Sequence, residues 1–227
     1  MKIAIIPARG GSKRIPKKNI REFNSKPIIG WSIQAALESG CFDRVIVSTD
    51  SKEIASTAKL FGAEVPFLRD KNLSDDHTPT LPVISDAISR LEDEIEFVCC
   101  IYPTAPFVKP DDISKGLKII MEQKVDFVFT ATKYNYPIQR ALRLDQDGRV
   151  SMLQPDQENV RSQDLEDTFH DAGQFYWGRS DAWLEGRPIL NNSCILEVLE
   201  SHSQDIDTED DWRKAEIKFR LLQLEEC

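Results

Sequence analysis

Long apolar runs are missing from this sequence: no segment approaches the roughly 20 apolar residues of a membrane-spanning helix. Paired metal-binding motifs are missing too, because no cysteines are spaced C-x-x-C and the three histidines stand at no ligand spacing from a cysteine pair. A membrane anchor and a structural zinc site are therefore not expected. Reduced, mostly buried thiols are the simplest interpretation of the five cysteines, Cys41, Cys99, Cys100, Cys194 and Cys227. With no signal peptide before the first strand, they predict a cytoplasmic protein.

An excess of positive charge is also lacking, since the formal net charge is −9 and the pI is about 5.0. A general nucleic-acid-binding surface or an anionic-membrane-binding surface is therefore not expected. Basic residues are nevertheless concentrated in residues 9–19, directly after the apolar residues 3–6. In an acidic chain, such a concentration indicates a local binding site for a phosphorylated small molecule.

This basic loop combines two adjacent glycines and a hydroxyl with five basic side chains: Arg9, Gly10, Gly11, Ser12, Lys13, Arg14, Lys17 and Lys18. The glycines predict positive φ angles and a close approach of backbone N–H groups to an anion, whose charge the basic residues neutralise. The spacing matches neither G-x-x-x-x-G-K-[ST] nor G-x-G-x-x-G. A polyphosphate site is the favoured interpretation, and a flexible turn with solvated lysines is the alternative.

Apolar segments alternate with helical patterns along the first 130 residues. Strands are predicted at residues 3–6, 45–47, 65–68, 97–101 and 127–131, and helices at 28–37, 52–61, 81–91 and 113–121. Repeated strand–helix–strand units predict an α/β fold with a mostly parallel central sheet flanked by helices. We expect one domain over residues 1–227, closed by a last helix at 209–224.

The regular alternation ends in residues 138–178. A β-hairpin is predicted to turn at Asp147-Gly148. Residues 154–171 are polar and indicate a lid or an intersubunit arm, after which apolar structure resumes at 172–177 and 195–199. Arg161, Gln163 and Asp164 lie in this arm and by position alone are solvated loop residues. His170 with Asp171 is either a general-base pair or a stacked loop histidine, and its position favours the latter.

Two carboxylates near the C-terminus, Asp205 and Asp207, are spaced so that both point the same way in an extended segment. Opposite a cationic polyphosphate loop, they would suit Mg²⁺ held jointly by protein and phosphate oxygens. The alternative is that Asp207 or Thr208 caps the final helix. The negative charges of its first residues, Glu209, Asp210 and Asp211, would stabilise the N-terminal end of the helix dipole. The two roles are compatible.

Five motifs are spread over nearly the whole chain: Ile6-Pro7-Ala8-Arg9-Gly10-Gly11-Ser12-Lys13 with Pro16 and Lys18-Asn19, Val47-Ser48-Thr49-Asp50, Tyr102-Pro103-Thr104-Ala105-Pro106, Arg161-x-Gln163-Asp164 and Asp205-x-Asp207. Taken together, they resemble the motifs of a known enzyme family, the cytidylyltransferases that activate nine-carbon acidic sugars. Each is weak alone, and jointly they are highly specific. The resemblance implies a Rossmann-like fold of the nucleotide-diphospho-sugar transferase type and a homodimer in which the arm reaches the neighbouring subunit.

The same resemblance implies a reaction and a set of site residues. The anomeric hydroxyl of a nonulosonic acid attacks the α-phosphorus of CTP in an Mg²⁺-dependent step, which gives a CMP-sugar and pyrophosphate. Arg9, Lys13 and Lys18 are the expected catalytic cations, and with Gly10, Gly11 and Ser12 they bind the triphosphate. Asn19 and Arg69 are assigned to the cytosine or ribose, and Asp205 and Asp207 to the metal. Sugar contacts are expected from Tyr102, Gln163 and Gln174, and Arg161 is expected to meet the sugar carboxylate or a phosphate.

The sequence differs from the sialic acid synthetases at two places that concern which sugar is bound. Tyr102 stands where those enzymes usually have glutamine, and Asp171-Ala172-Gly173-Gln174-Phe175-Tyr176-Trp177-Gly178 is similar to the pseudaminic acid branch. Its aromatic residues predict a less polar sugar pocket. The alternatives are a CMP-sialic acid synthetase, a GT-A-type glycosyltransferase with a D-x-D metal pair, and a non-catalytic nucleotide-binding subunit. A Kdo-type enzyme is a further relative, although that group usually has proline at the position of Asn19.

Overall fold

The computed structural model describes residues 1–225, so Cys227 and its predicted thiol lie outside the described residues. Strands of the described chain are β1 (Lys2–Pro7), β2 (Glu22–Phe23), β3 (Lys26–Pro27), β4 (Arg44–Ser48), β5 (Phe97–Ile101), β6 (Phe127–Lys133), β7 (Leu142–Leu144), β8 (Val150–Met152), β9 (Phe169–Arg179) and β10 (Ser193–Glu197). Helices of the same residues are α1 (Ile28–Glu38), α2 (Lys52–Leu60), α3 (Thr80–Ser89), α4 (Pro110–Glu122), α5 (Ser180–Leu184) and α6 (Glu209–Glu225).

The central sheet has the strand order β10-β6-β9-β5-β1-β4. Strand β1 is parallel to β4 and β5, and β10 is parallel to β6, whereas β9 runs antiparallel between β5 and β6. The prediction of a mostly parallel sheet flanked by helices is therefore confirmed, with β9 as its antiparallel member. Parallel strands must be joined by crossovers, and the helices that form these crossovers cover the sheet.

Helices lie on both faces of the sheet because alternate residues of its strands point to opposite sides. Ala4 and Ile6 of β1 pack with buried residues of α1, α2 and α4. Ile3 and Ile5 pack on the other face with residues of α3 and α5. Both faces of β1 are thus buried, which explains why its sequence is continuously apolar rather than alternating.

The prediction of a strand at residues 65–68 is wrong. The chain makes only isolated bridges there, from Glu64 to Ile46 and from Leu68 to Thr49. Pro66 between them has no backbone N–H and cannot extend a ladder. This segment still runs beside the end of β4, and the Arg69 backbone N–H donates to the Thr49 carbonyl at 2.8 Å. The side chain of Arg69 is thereby brought to the carboxyl edge of the sheet.

A third apolar cluster joins the C-terminal helix to the basic loop. Ile15 from the loop and Ile206 from the segment before α6 are both buried with Trp212 and Phe219 of that helix. These contacts hold residues 205–207 against the loop, although the two segments are far apart in the chain. The prediction of a last helix is confirmed, and its packing places the two aspartates at the site.

The β-hairpin β7–β8 is present with its turn at Gly148, whose φ of 78° favours glycine. Leu142, Leu144 and Val150 on this hairpin are all exposed. Helices of the described residues are all too short or too polar to cross a membrane.

Candidate active site

An open cleft of about 290 Å³ lies at the carboxyl ends of β1 and β5. This is the edge at which open α/β sheets bind ligands. Seven of the predicted site residues line the cleft, namely Arg9, Ser12, Lys13, Lys18, Asn19, Arg69 and Tyr102. The fold therefore brings the predicted nucleotide-binding side chains to one place.

The basic loop is held over the sheet by hydrogen bonds at both ends. The Gly10 backbone N–H donates to Asp50 Oδ1 at 2.8 Å, and buried Asn19 donates through Nδ2 to the Arg9 carbonyl at 2.8 Å. The expectation of positive φ at Gly10 and Gly11 is wrong, because the left-handed residue of the loop is Lys17, with a φ of 53°. Glycine is favoured at position 10 because the backbone passes close to Ser51: a Cβ atom at Gly10 would lie 3.2 Å from Ser51 Cβ.

One carboxylate, that of Asp76, pairs with two cations of the loop. Arg9 forms an ion pair of 2.9 Å with Asp76, and Lys13 pairs with the same carboxylate. The hydrogen bond from Lys13 is the main reason that the pKa of Asp76 is lowered. Arg9 also donates to the Asp75 carbonyl. An anion entering the cleft would thus meet two cations that share one carboxylate, that of Asp76.

Arg69 is the most buried cation of the cleft, with 5% of its surface exposed. Its Nε donates to Ser74 Oγ at 3.1 Å. Burial lowers the pKa of Arg69, partly offset by the negative charge of Asp50. A desolvated guanidinium interacts strongly with an acceptor group of a bound ligand.

Asp205 and Asp207 lie beside Lys18 at the rim of the cleft. Lys18 Nζ donates to the Ile206 carbonyl at 2.6 Å and lies 3.5 Å from Asp207 Oδ1, to which Arg14 is also paired at 2.8 Å. Partial burial, and then the charge of Asp207, raise the pKa of Asp205. Two mutually repelling carboxylates beside the basic loop have the donor chemistry that a divalent cation prefers.

The residues present fit Mg²⁺ held jointly by protein and ligand. Nowhere in residues 1–225 do three or more His, Cys, Asp or Glu side chains form a metal-binding group. An ion at Asp205 and Asp207 would therefore take its other ligands from phosphate oxygens and water, as Mg²⁺ commonly does.

Thr208, and not Asp207, supplies the side-chain cap of α6. Thr208 Oγ1 accepts from the Asp211 backbone N–H at 3.2 Å, and Asp211 Oδ2 accepts from the Thr208 N–H at 2.8 Å. This reciprocal pair is a capping box. The Asp207 carboxylate instead faces Arg14 and Lys18.

The residues assigned to the sugar are dispersed in the single chain. Tyr102 lines the cleft, and its hydroxyl lies 3.2 Å from Thr80 Oγ1. Gln174 is buried and does not line the cleft: its side chain donates to the His202 carbonyl at 2.5 Å, although its own carbonyl accepts from the Tyr102 N–H at 2.9 Å. Arg161 and Gln163 are exposed on the arm, where Arg161 pairs with Asp164 at 2.7 Å.

The aromatic residues of β9 do not form the less polar sugar pocket that the sequence predicts. Phe175 and Trp177 are fully buried on the face that packs against α4, and Trp177 Nε1 donates to the Ile113 carbonyl at 2.9 Å. Tyr176 points to the opposite face, 5.3 Å from the Tyr102 ring. His170 lies in β9 rather than in a loop, and its ring is tilted by 57° against the Tyr134 ring, with the two ring centres 4.7 Å apart.

Several cleft residues were not assigned from the sequence, namely Arg14, Asp75, Asp76, Thr78 and Thr80. Arg14 was counted among the basic residues without a role. Asp75, Asp76 and Thr78 lie in the polar segment between Arg69 and α3, where Asp75 Oδ1 accepts from the Thr78 N–H at 2.7 Å, and Thr80 is the first residue of α3. The sequence could have indicated this segment as part of the site, because Asp75-Asp76-His77-Thr78-Pro79 is a turn-forming run that follows a predicted strand end.

Comparisons with known proteins show which family this chain resembles over most of its length. The family model described as cytidylyltransferase matches residues 3–204. The pseudaminic acid cytidylyltransferase of Campylobacter jejuni (serotype O:2) is 43% identical over 223 residues, which cover 96% of each chain. N-acylneuraminate cytidylyltransferase B of Danio rerio is 35% identical over 214 residues, which cover 94% of this chain and 50% of that protein. A solved CMP:2-keto-3-deoxy-manno-octonic acid synthetase complexed with CTP has a TM-score of 0.73 at 18% identity, over 100% of this chain and 99% of that one, and supports the fold.

Proposed function

The chain belongs to the cytidylyltransferase family, and on that premise we propose that it couples CTP to a nine-carbon acidic sugar, pseudaminic acid, with release of pyrophosphate. The observation that carries the proposal is the cleft in which Arg9, Lys13, Lys18 and Arg69 converge in a chain of net charge −9. Such a cleft attracts a triphosphate and concentrates it at one edge of the sheet.

The reaction forms a bond between the sugar's anomeric oxygen and the α-phosphorus of CTP and breaks the bond to the pyrophosphate leaving group. Positioning and charge neutralisation are its main requirements. Arg9, Ser12, Lys13 and Lys18 would bind the triphosphate, and Asn19 and Arg69 the cytosine or ribose. Asp205 and Asp207 would hold Mg²⁺, which when bound supplies further neutralisation of phosphate charge.

The experiment that tests this function is an incubation of the protein with CTP, Mg²⁺ and single nonulosonic acids, followed by measurement of pyrophosphate and the CMP-sugar. We expect pyrophosphate only when CTP and an acceptor sugar are both present. A GT-A-type glycosyltransferase would instead consume a sugar nucleotide, and a nucleotide-binding subunit would release nothing. Either result would contradict the proposal.

We expect the enzyme to prefer pseudaminic acid over sialic acid when the two compete at equal concentration for limiting CTP. The similarity to the Campylobacter enzyme supports this preference, as does Tyr102 at the cleft wall. Pseudaminic acid carries an acetamido group and a methyl at two positions where sialic acid has hydroxyls, and we expect these two differences together to give discrimination of about a hundredfold. Comparable yields of both CMP-sugars would contradict the branch assignment but not the cytidylyltransferase.

A homodimer is also part of the proposal. Directly opposed residues of an antiparallel hairpin share a face, so Leu142, Leu144, Val150 and Met152 form one apolar face of β7–β8. Leu144 is 67% exposed there. Burial against a second copy of this chain would remove this face from water, and Arg161 and Gln163 on the same arm would then meet the sugar across the subunits.

Light scattering should therefore give a mass of about 52 kDa, twice the 25.9 kDa of one chain. A Leu144→Lys variant should shift the protein towards the monomer, because it would bury an unpaired charge at the interface. Leu60→Lys is the matched control, since Leu60 is equally apolar and exposed on α2. A monomeric wild type with full activity at assay concentration would contradict the dimer.

The cytoplasm is the proposed location, where CTP is available. Cys41, Cys99, Cys100 and Cys194 are free thiols, which fits a reducing compartment.

A further inference from the structure

Asp76 reaches the cleft from the polar turn of residues 75–78 and contacts two cations of the basic loop at once. Its Oδ1 pairs with Arg9 at 2.9 Å, and its Oδ2 pairs with Lys13. The carboxylate thus bridges the two side chains with one oxygen on each. A phosphate group that contacted both cations would need the same position between them, because it also binds through oxygens carried by one central atom.

The turn that carries Asp76 is organised by its own residues. Asp75 Oδ1 accepts from the His77 N–H at 2.9 Å, from the Thr78 N–H at 2.7 Å and from the Thr78 hydroxyl at 2.7 Å. An aspartate that accepts from the backbone two and three residues ahead forms a local turn of its own. The carboxylate of Asp75 therefore serves the turn, and the carboxylate of Asp76 faces the cations.

The turn is joined to the rest of the fold mainly through the cations themselves. Within residues 1–225, the hydrogen bonds and ion pairs from other segments to residues 75–77 come from Arg9 and Lys13. The side chain of Asp76 is 30% exposed. Because ion pairs between exposed side chains contribute little stability, Asp76 gives up both cations at a small cost when an anion of higher charge arrives.

We propose that Asp76 is an internal anion that competes with the ligand's phosphates for Arg9 and Lys13, and so sets the affinity of the cleft for phosphate chains. The inference rests on the proposed function, which assigns both cations to the triphosphate. A triphosphate displaces the carboxylate because it carries more negative charge and also reaches Lys18. After the transfer, Asp76 pairs with the two cations again, which favours release of pyrophosphate.

The test is binding of inorganic tripolyphosphate without Mg²⁺ to the wild type, Asp76→Asn and Asp76→Ala, measured by calorimetry at fixed ionic strength. The Kd should fall about threefold to tenfold in both variants, because the two cations are then free in a larger fraction of the molecules. Asp70→Asn is the matched control, since Asp70 lies in the same segment, pairs with Arg90 at 2.6 Å and does not line the cleft.

Three results of this titration would overturn the proposal. An unchanged or higher Kd in both Asp76 variants would mean that Asp76 does not compete with the ligand. An equal fall in Asp70→Asn would show a long-range effect of charge. A fall in Asp76→Asn alone would come from a new hydrogen bond donated by the amide, because only the loss of charge is common to both variants.

A double-mutant cycle identifies the cations through which Asp76 acts. In a Lys13→Ala background, the fall in Kd on Asp76→Asn should be smaller, since one of the two pairs is already missing, and an undiminished fall would contradict the inference. In the active enzyme, Asp76→Asn should lower the inhibition constant of pyrophosphate by the same factor as the Kd.

Failure of this inference and failure of the proposed function are distinguishable, because tripolyphosphate binding requires no turnover. No turnover by the wild type with any nonulosonic acid would overturn the proposed function, whereas the competition at Asp76 would still be measured. No binding of tripolyphosphate by the wild type or by the Asp76 variants would overturn the inference.

Discussion

Asp207→Asn should abolish Mg²⁺-dependent turnover while leaving the fold intact. Asparagine keeps the shape of the side chain but removes the charge that a divalent cation requires. The helix should be unaffected, because the cap is made by Thr208 and Asp211 rather than by Asp207. The measurements are pyrophosphate release as a function of Mg²⁺ concentration and thermal unfolding of both proteins.

The Mg²⁺ titration separates two ways in which Asp207 could matter. As a metal ligand, its loss should raise the Mg²⁺ concentration needed for any residual activity. If Asp207 served only to hold Lys18, 3.5 Å away, kcat would fall and the Mg²⁺ midpoint would stay the same. Asp210→Asn is a matched control, because Asp210 lies in the first turn of α6 and pairs with Lys214 at 2.6 Å. Full activity of Asp207→Asn would exclude the metal assignment.

Lys13→Ala should lower kcat/KM for CTP by about 30-fold to 1,000-fold, which corresponds to about 2–4 kcal/mol of lost transition-state stabilisation. A charge-assisted contact to the triphosphate is removed, and neighbouring cations cannot replace its position. The ion pair between Lys13 and Asp76 is exposed, with 81% of the Lys13 side chain accessible, so its loss should barely change the stability of the fold.

Lys17→Ala is the control for this variant. Lys17 lies in the same loop and carries the same charge, but it pairs with Glu53 on α2 at 2.7 Å and does not line the cleft. A purely long-range effect of loop charge would lower kcat/KM in both variants to a similar extent. Steady-state kinetics with CTP at fixed sugar and fixed ionic strength decide between the two, and an unchanged kcat/KM for Lys13→Ala would contradict its role.

Local patterns in the sequence were sufficient for the elements that depend on local chemistry. The apolar run at residues 3–6 predicted a buried strand, and Asp147-Gly148 predicted a tight turn, which Gly148 makes with a φ of 78°. The strand at 65–68 was predicted wrongly because apolar composition was weighed more heavily than Pro66. Because Pro66 has no backbone N–H, this segment pairs with β4 only at single bridges.

The grouping of the cleft residues was predictable only in part. Carboxyl ends of parallel strands meet at one edge, so Arg9, Arg69 and Tyr102 could be placed together from the sequence. The sequence could not predict which way Phe175, Tyr176 and Trp177 point. The alternation of a strand says which of these side chains share a face, but not which face meets the cleft. Packing of Phe175 and Trp177 against α4 decided it.

What the sequence by itself determined is the chemistry of this protein: a cationic loop after a buried strand, a pair of carboxylates, and a family signature over most of the chain. Only the tertiary structure decided which charges neutralise each other. Asp76 lies against Arg9 and Lys13, and Asp207 against Arg14, across a separation of 193 residues. Pairings of this kind follow from how helices and loops dock on the sheet through buried apolar contacts such as Ile15 with Trp212, and no local pattern in the sequence encodes that docking.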